Sequence, residues 1–182
     1  MDNVIEIIGQ AVGIAGMIAN LLSYQQKTQK GIVIFQLFAS ALFSSSFFML
    51  GEYVGAILNL IGIVRALVFM YREKTRATHI AWLIGFAVAF STTYILTFAV
   101  FGTEVNWLNL IVQALPVVAM IIATASFRLS AKDIRRLGLI SSPMWLIYNV
   151  FCFSIGGICS EILNITSMIV GIVRFDKKDK KA

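Results

Sequence analysis

Two asparagines lie inside long apolar runs of this sequence, where a polar side chain is costly and calls for a specific role. Asn59 follows "AIL" and Asn164 follows "EIL", each about 10 Å from the end of its run at the rise of an α-helix. A carboxamide at that depth offers a donor and an acceptor to a polar solute. The alternative is a bond between helices, worth ~0.6 kcal/mol. We predict that both asparagines bind substrate.

A second polar group recurs at helical spacing. Trp145, Tyr148, Asn149 and Cys152 follow the pattern i, i+3, i+4, i+7, which is one face of a helix. Trp145 lies in the middle of its run, where a buried indole N–H needs a partner. An indole with amides beside it suits a sugar-like or vitamin-like solute; the alternative is packing alone. The predicted substrate-binding residues of this face are Trp145, Tyr148 and Asn149, and Ser44 lies on the corresponding face of the second helix. Gln113, which aligns with Gln10 in an internal repeat, is a further predicted substrate-binding residue.

Two charged residues also fall inside apolar runs. Arg65 lies about two helical turns before Arg72, and we expect its side chain to extend along the helix to the membrane surface. The alternative is that Arg65 lines an inner vestibule and attracts an anionic solute. Glu161 lies one turn from the end of its run, where we expect it to be hydrated or to cap a helix; the alternative is a proton carrier.

Sequence motifs of enzymes are missing. The chain contains no Ser/His/Asp set, no HExxH, no P-loop glycine pattern and no Cys or His cluster at metal-ligand spacing. We therefore expect no enzyme activity and no cofactor.

The composition indicates which kind of secondary structure positions these residues. Apolar residues make up 59% of the 182 residues and charged residues 13%, which is typical of membrane proteins rather than soluble domains. Continuous apolar stretches of helical length predict an all-α membrane protein with seven transmembrane helices. These stretches are Ile7–Gln26, Gly31–Gly51, Tyr53–Tyr71, Ala77–Thr103, Val105–Phe127, Leu137–Ser160 and Gly157–Arg174.

The charges of the connections predict an orientation. All 15 Lys and Arg residues lie on alternate connections or in the helix ends that lead into them. Because cytoplasmic loops carry the excess of Lys and Arg, the N-terminus is predicted outside and the C-terminus in the cytoplasm. The net charge of +6 is then a property of topology and lipid contact, and no nucleic-acid partner is expected.

The chain contains an internal repeat. "QAVGIAGMIANLLSY" (Gln10–Tyr24) aligns with "QALPVVAMIIATASF" (Gln113–Phe127), and both "ILN" and "GIVR" occur twice in the same order. Residues 5–72 and 105–175 therefore form two predicted three-helix repeats, residues 78–102 a linker helix and residues 176–182 a basic cytoplasmic tail. An odd linker gives both repeats the same orientation, related by an axis along the membrane normal.

Three segments resemble the YgjV family of bacterial inner-membrane proteins. They read "GAILNLIGIVRAL", "ALPVV…TASFR" and "WLIYNVFCFSIGG…E" (Gly55–Leu67, Ala114–Arg128 and Trp145–Glu161). That family is similar to PQ-loop, SWEET and MtN3-like transporters, which implies a 3-1-3 helix arrangement and solute transport. In SWEET-type carriers an asparagine of the third helix of each bundle binds substrate, and Asn59 and Asn164 match that position.

The sequence departs from the PQ-loop pattern at the end of the first helix. The expected Pro-Gln pair at the end of the first helix reads Tyr24-Gln25-Gln26. Pro116, which aligns with Gly13 in the repeat, is the predicted hinge instead, and both positions are hinge candidates. The sequence thus favours a SWEET-like carrier of a neutral sugar- or vitamin-like solute working by alternating access in the bilayer, with a homo-oligomer left open. The alternative is a receptor or scaffold that does not transport.

Overall fold

A computed structural model describes residues 2–51, 53–100, 102–152 and 154–176. Within them the chain forms eight α-helices, followed by a π-helical turn at Ile172–Asp176. The helices are α1 (Asp2–Tyr24), α2 (Gln29–Met49), α3 (Tyr53–Met70), α4 (Arg72–Thr75), α5 (Ile80–Ala99), α6 (Trp107–Phe127), α7 (Ala131–Phe151) and α8 (Ile155–Gly171). Residues 177–182, most of the predicted basic tail, lie outside the described residues.

Six of these helices are long and apolar enough to cross a membrane: α1, α2, α3, α5, α6 and α8 with the π-helical turn. Their outer surfaces remain apolar, as on α5, where Val88 is 60% and Ile95 63% exposed. Apolar side chains left exposed along helices of this length indicate contact with lipid. The protein is therefore an all-helical membrane protein.

Helix α7 differs from the sequence prediction. The uncharged stretch Leu137–Ser160 predicted one span, but the helix begins earlier, at Ala131, and ends at Phe151. Its first turns contain charged residues, and for this reason α7 is not among the helices that qualify by length and hydropathy. The prediction of seven spans is thus confirmed for six helices and stays a prediction for α7.

Short capped loops join the helices. Thr28, His79, Asn106, Ser130 and Ser154 each accept a hydrogen bond from a backbone N–H in the first turn of the following helix. Side-chain acceptors at this position satisfy donors that the helix cannot, and so fix where each helix begins.

The six helices α1, α2, α3, α6, α7 and α8 close into a ring. Helix α1 packs on α2 and α8, α2 on α3, α6 on α7, and α7 on α8, while α5 lies against α3 and α6. Segments 25–28, 71–79 and 128–130 contain the basic residues Lys27, Arg72, Lys74, Arg76 and Arg128. They lie at one end of the ring, where Arg72 donates to Gln29 and Arg128 donates to the carbonyl oxygen of Thr78. We call this the basic end. The site described next lies inside the ring.

Candidate functional site

A cavity of about 110 Å³ lies within the ring. All six ring helices line it, whereas α5 contributes none of its lining among the described residues. A space of this size is several times larger than one water molecule requires. Much of its lining is polar or charged: Asn20, Tyr24, Gln36, Ser40, Asn59, Arg65, Ser126, Ser141, Ser142, Asn149, Ser160 and Glu161.

Three of the predicted substrate-binding residues line this cavity. Asn59 donates through Nδ2 to the carbonyl oxygen of Gly55 one turn earlier, at 2.9 Å. Trp145 packs edge-to-face against Tyr148 with ring centroids 5.7 Å apart. Asn149 is 3% exposed, and its Oδ1 accepts no hydrogen bond from any described residue. An indole and two amides therefore face one space, although they come from α3 and α7.

The other predicted substrate-binding residues lie away from the lining that the described residues form. Ser44 donates to the carbonyl oxygen of Ala56 at 3.0 Å, across the contact between α2 and α3. Tyr148 is buried at 1% exposure behind Trp145, and Gln113 has a buried Oε1 with no described partner. Their roles in binding substrate stay predictions.

Asn164 occupies a second layer behind the cavity wall. It is 1% exposed, and its Nδ2 lies 3.5 Å from Ser160 Oγ in the preceding turn. The Glu161 carboxylate lies close to the side chains of Asn164 and of Ser142 on α7. Asn164 Oδ1 is buried without a partner among the described residues. Asn164 therefore does not line the cavity itself, whereas Glu161, on the same helix, does, and the role of Asn164 in binding substrate stays a prediction.

The structure corrects the expectation for Arg65. Its side chain does not reach the membrane surface: it is 6% exposed and lines the cavity. Nη1 donates to the carbonyl oxygen of Met120 at 3.3 Å and to Thr124 Oγ1 at 3.4 Å, and the guanidinium lies 4.6 Å from the centroid of the Phe127 ring. Snorkelling fails because α6 offers these acceptors and an aromatic face at the level of the helix itself.

Glu161 is also a cavity residue. One expectation was that Glu161 caps a helix. It is wrong, because the N-terminal cap of α8 is Ser154 and Glu161 lines the cavity. Tyr24 of α1 interacts electrostatically with both Glu161 and Arg65. The cavity therefore contains a buried cation and a carboxylate on opposite sides of the ring, on α3 and α8.

Several polar residues of the cavity lining were not predicted from the sequence. Asn20 on α1 and Gln36 on α2 lie inside apolar runs just as Asn59 does, and that was the available signal. Ser142 could have been found by continuing the Trp145 face one turn towards the start of α7.

Several hydrogen bonds between the two halves of the ring, helices α1–α3 and helices α6–α8, lie at the basic end. Gln25 Nε2 donates to Ser167 Oγ at 2.7 Å and to the Ser167 carbonyl oxygen at 3.1 Å. Ser167 Oγ in turn donates to the carbonyl oxygen of Leu21 at 3.0 Å. Arg135 donates to the carbonyl oxygen of Gln26 at 3.2 Å. We call the contacts of Leu21, Gln25, Gln26, Arg135 and Ser167 the basic-end lock.

The predicted hinge positions have different surroundings. A Cβ at Gly13 would lie 2.8 Å from Ser46 Oγ, which donates to the carbonyl oxygen of Gly9 at 2.7 Å, so α1 and α2 approach closely there. Pro116 is buried within α6. The close packing of α1 against α2 explains why residue 13 is a glycine. Hinge motion at Gly13 or Pro116 stays a prediction.

Comparison with known families identifies the chain. The family described as Imp-YgjV, bacterial inner membrane protein, matches residues 7–179. This protein belongs to that family. The resemblance seen in its sequence segments is thereby confirmed at the level of the family and of a multi-pass inner-membrane protein. No curated protein and no solved structure matches the chain. The similarity to PQ-loop and SWEET-type transporters stays a prediction.

Proposed function

We propose that this protein carries a small polar solute across the bacterial inner membrane by alternating access. The observation that supports this most is the central cavity, lined by polar side chains from both halves of the ring, including Asn59 on α3 and Asn149 on α7. Polar and charged side chains inside a membrane bundle mark solute pathways. Sites of transporters typically lie near the midplane between repeats.

The basic-end lock supports the alternating-access part of the proposal. A carrier needs contacts that close one end of the site and can be exchanged for others. The lock consists of single hydrogen bonds, and hydrogen bonds between membrane helices contribute on average ~0.6 kcal/mol each. A state in which they are broken therefore lies within a few kcal/mol, the range in which a solute can shift the population.

We also propose how the helices are arranged as repeats. Helices α1–α3 and α6–α8 are two parallel repeats, α5 is the linker of a SWEET-like 3-1-3 arrangement, and α7 is the seventh span. In support, α2 packs between α1 and α3 just as α7 packs between α6 and α8. The basic end faces the cytoplasm, with the N-terminus outside.

Counterflow in proteoliposomes tests this function. The panel consists of labelled sugars, vitamin precursors, amino acids and carboxylic acids, each loaded unlabelled inside and supplied labelled outside. We expect labelled solute of at least one class to accumulate with wild-type protein, and accumulation to be lost in Asn59→Ala and Asn149→Ala, which remove cavity amides. Empty liposomes are the control. A solute that binds the purified protein but shows no counterflow would contradict the carrier and favour the receptor or scaffold.

A further inference from the structure

We propose that the carried solute is a carboxylate monoanion and that Arg65 binds its carboxylate. This inference rests on the proposed carrier function and names the solute class of the same cavity, in place of the neutral solute that the sequence favoured. It starts from a buried cation that has no counter-ion among the described residues.

The hydrogen-bond donors of Arg65 are only partly used. A guanidinium has five N–H donors. Nη1 reaches two neutral oxygens, of Met120 and Thr124, at 3.3 and 3.4 Å, both long for a charged donor. Nε is buried and has no partner, and no described acceptor takes a hydrogen bond from Nη2. The unused donors, Nε and Nη2, form one edge of the guanidinium, and such an edge matches a carboxylate with two parallel hydrogen bonds.

A purely structural arginine at this position would be expected to have an acidic partner. Buried charges are costly unless they are paired, and buried arginines are accordingly paired with carboxylates. Glu161 lines the same cavity but does not form an ion pair with Arg65 in the part of the chain that the structure describes. The charge of Arg65 therefore faces a cavity and is satisfied only by neutral groups and by the Phe127 ring.

The surroundings of Arg65 hold it ready for an anion. The Phe127 ring lies 4.6 Å from the guanidinium carbon, which fixes one face of the guanidinium, and Thr124 holds Nη1. Asn59 lies on the same helix about 9 Å further from the basic end, six residues at the helical rise. A solute whose carboxylate is on Arg65 can therefore extend its polar body towards Asn59 and Asn149.

The charge of the lining limits the anion to one negative charge. Arg65 is the one basic side chain among the described residues that line the cavity, and Glu161 adds a carboxylate to the same lining. A phosphate monoester carries about −1.5 to −2 charges at neutral pH and would exceed the single cation. Because Glu161 shares the lining, every further negative charge on the solute is repelled, so a carboxylate monoanion, which places its one charge on Arg65, is favoured over a phosphate monoester.

Ligand-observed NMR on the full chain in nanodiscs tests the inference with matched probes. The probes are propionate, its neutral isostere propionamide, lactate with lactamide, and methyl phosphate. We expect each carboxylate to bind wild-type protein at least about tenfold more tightly than its amide, since charge-assisted bidentate bonds are the stronger ones. Arg65→Gln should abolish this preference. Arg65→Lys keeps the charge but loses the fork, so it should weaken carboxylate binding several-fold.

Arg174→Gln is the matched control, because it removes the exposed arginine of the second "GIVR" motif, outside the cavity. It should bind like wild type. The inference is overturned if wild type binds no carboxylate, if amides bind equally well, if methyl phosphate binds more tightly than propionate, or if Arg65→Gln keeps the preference. If Arg65→Gln does not fold, as judged by size-exclusion chromatography, Arg65→Lys decides: unchanged binding overturns the role of the fork.

Counterflow separates this inference from the carrier function. Counterflow of a solute that persists in Arg65→Gln would overturn the anion site and leave the carrier standing. Carboxylate binding that depends on Arg65 without any counterflow would overturn the carrier and leave the anion site.

Discussion

Removing one hydroxyl from the basic-end lock should open that end of the cavity. Ser167→Ala deletes two hydrogen bonds, the one from Gln25 Nε2 at 2.7 Å and the one to the Leu21 carbonyl oxygen at 3.0 Å. The bond from Gln25 to the backbone carbonyl oxygen of residue 167 remains. The substitution is small and buried, so the helix itself is retained.

The size of the effect follows from these two bonds. Hydrogen bonds between membrane helices contribute on average ~0.6 kcal/mol each, so two of them amount to about 1.2 kcal/mol. Because 1.4 kcal/mol corresponds to a factor of ten, the ratio of open to closed molecules should rise about sevenfold.

Cysteine accessibility measures this ratio. Ser126→Cys places a thiol on the cavity wall at the end of α6 near the lock, in a background with Cys152→Ser and Cys159→Ser. We expect the rate of modification by a membrane-impermeant methanethiosulfonate, added from the basic side, to rise about five- to tenfold with Ser167→Ala.

Thr166→Ala is the control for this experiment. Thr166 is exposed, and its hydroxyl donates only to the carbonyl oxygen of Ile162 in its own helix, at 2.9 Å. An unchanged rate in Ser167→Ala, or an equal rise in Thr166→Ala, would refute the argument that the lock holds the basic end closed.

Two further predictions concern packing and orientation. Gly13→Ala should lower the melting temperature by several degrees, because its Cβ would lie 2.8 Å from Ser46 Oγ and displace the hydrogen bond from Ser46 to the Gly9 carbonyl oxygen. The control Gly85→Ala should not lower it, because no atom lies within 4 Å of the added Cβ; equal melting temperatures for the two variants would contradict this prediction. A C-terminal green fluorescent fusion should be fluorescent and a C-terminal alkaline phosphatase fusion inactive, because the basic loops keep that end in the cytoplasm, and active phosphatase would overturn the orientation.

The positions of most helices could be predicted from sequence because lipid imposes a minimum length of apolar residues. That rule failed at the start of α7, where charged residues occupy the first turns. The local signal was present, since Ser130 and Asp133 form a capping box in which each side chain bonds the other's backbone. A capping motif defines where a helix begins even where hydropathy does not.

The predicted face of α7 is rotated slightly about the helix axis from the face that lines the cavity. The predicted stripe through Trp145, Tyr148 and Asn149 includes two lining residues, while Tyr148 points into the neighbouring packing. The α7 residues that line the cavity are Ile134, Gly138, Ser141, Ser142, Trp145 and Asn149. A stripe read from one helix has an uncertainty of about one position, because the neighbouring helices decide which edge of it meets the cavity.

The two "GIVR" motifs show how a repeat can generate an asymmetric site. Arg65 follows Asn59 by six residues, whereas Arg174 follows Asn164 by ten. The four additional residues carry the second arginine about 6 Å further along its helix while keeping it on nearly the same face. Arg174 consequently lies exposed beside Phe175, with 5.3 Å between its guanidinium and that ring, whereas Arg65 stops within the ring of helices beside Phe127. A single turn of helix thus separates a surface anchor from a buried cation. If the anion site is correct, moving the arginine of α3 by about one turn, as Arg65→Leu with Val68→Arg at a half-buried position, should bring that charge nearer the basic end and remove carboxylate binding. Retained binding in that variant would show that the charge, and not its depth, is what the cavity requires.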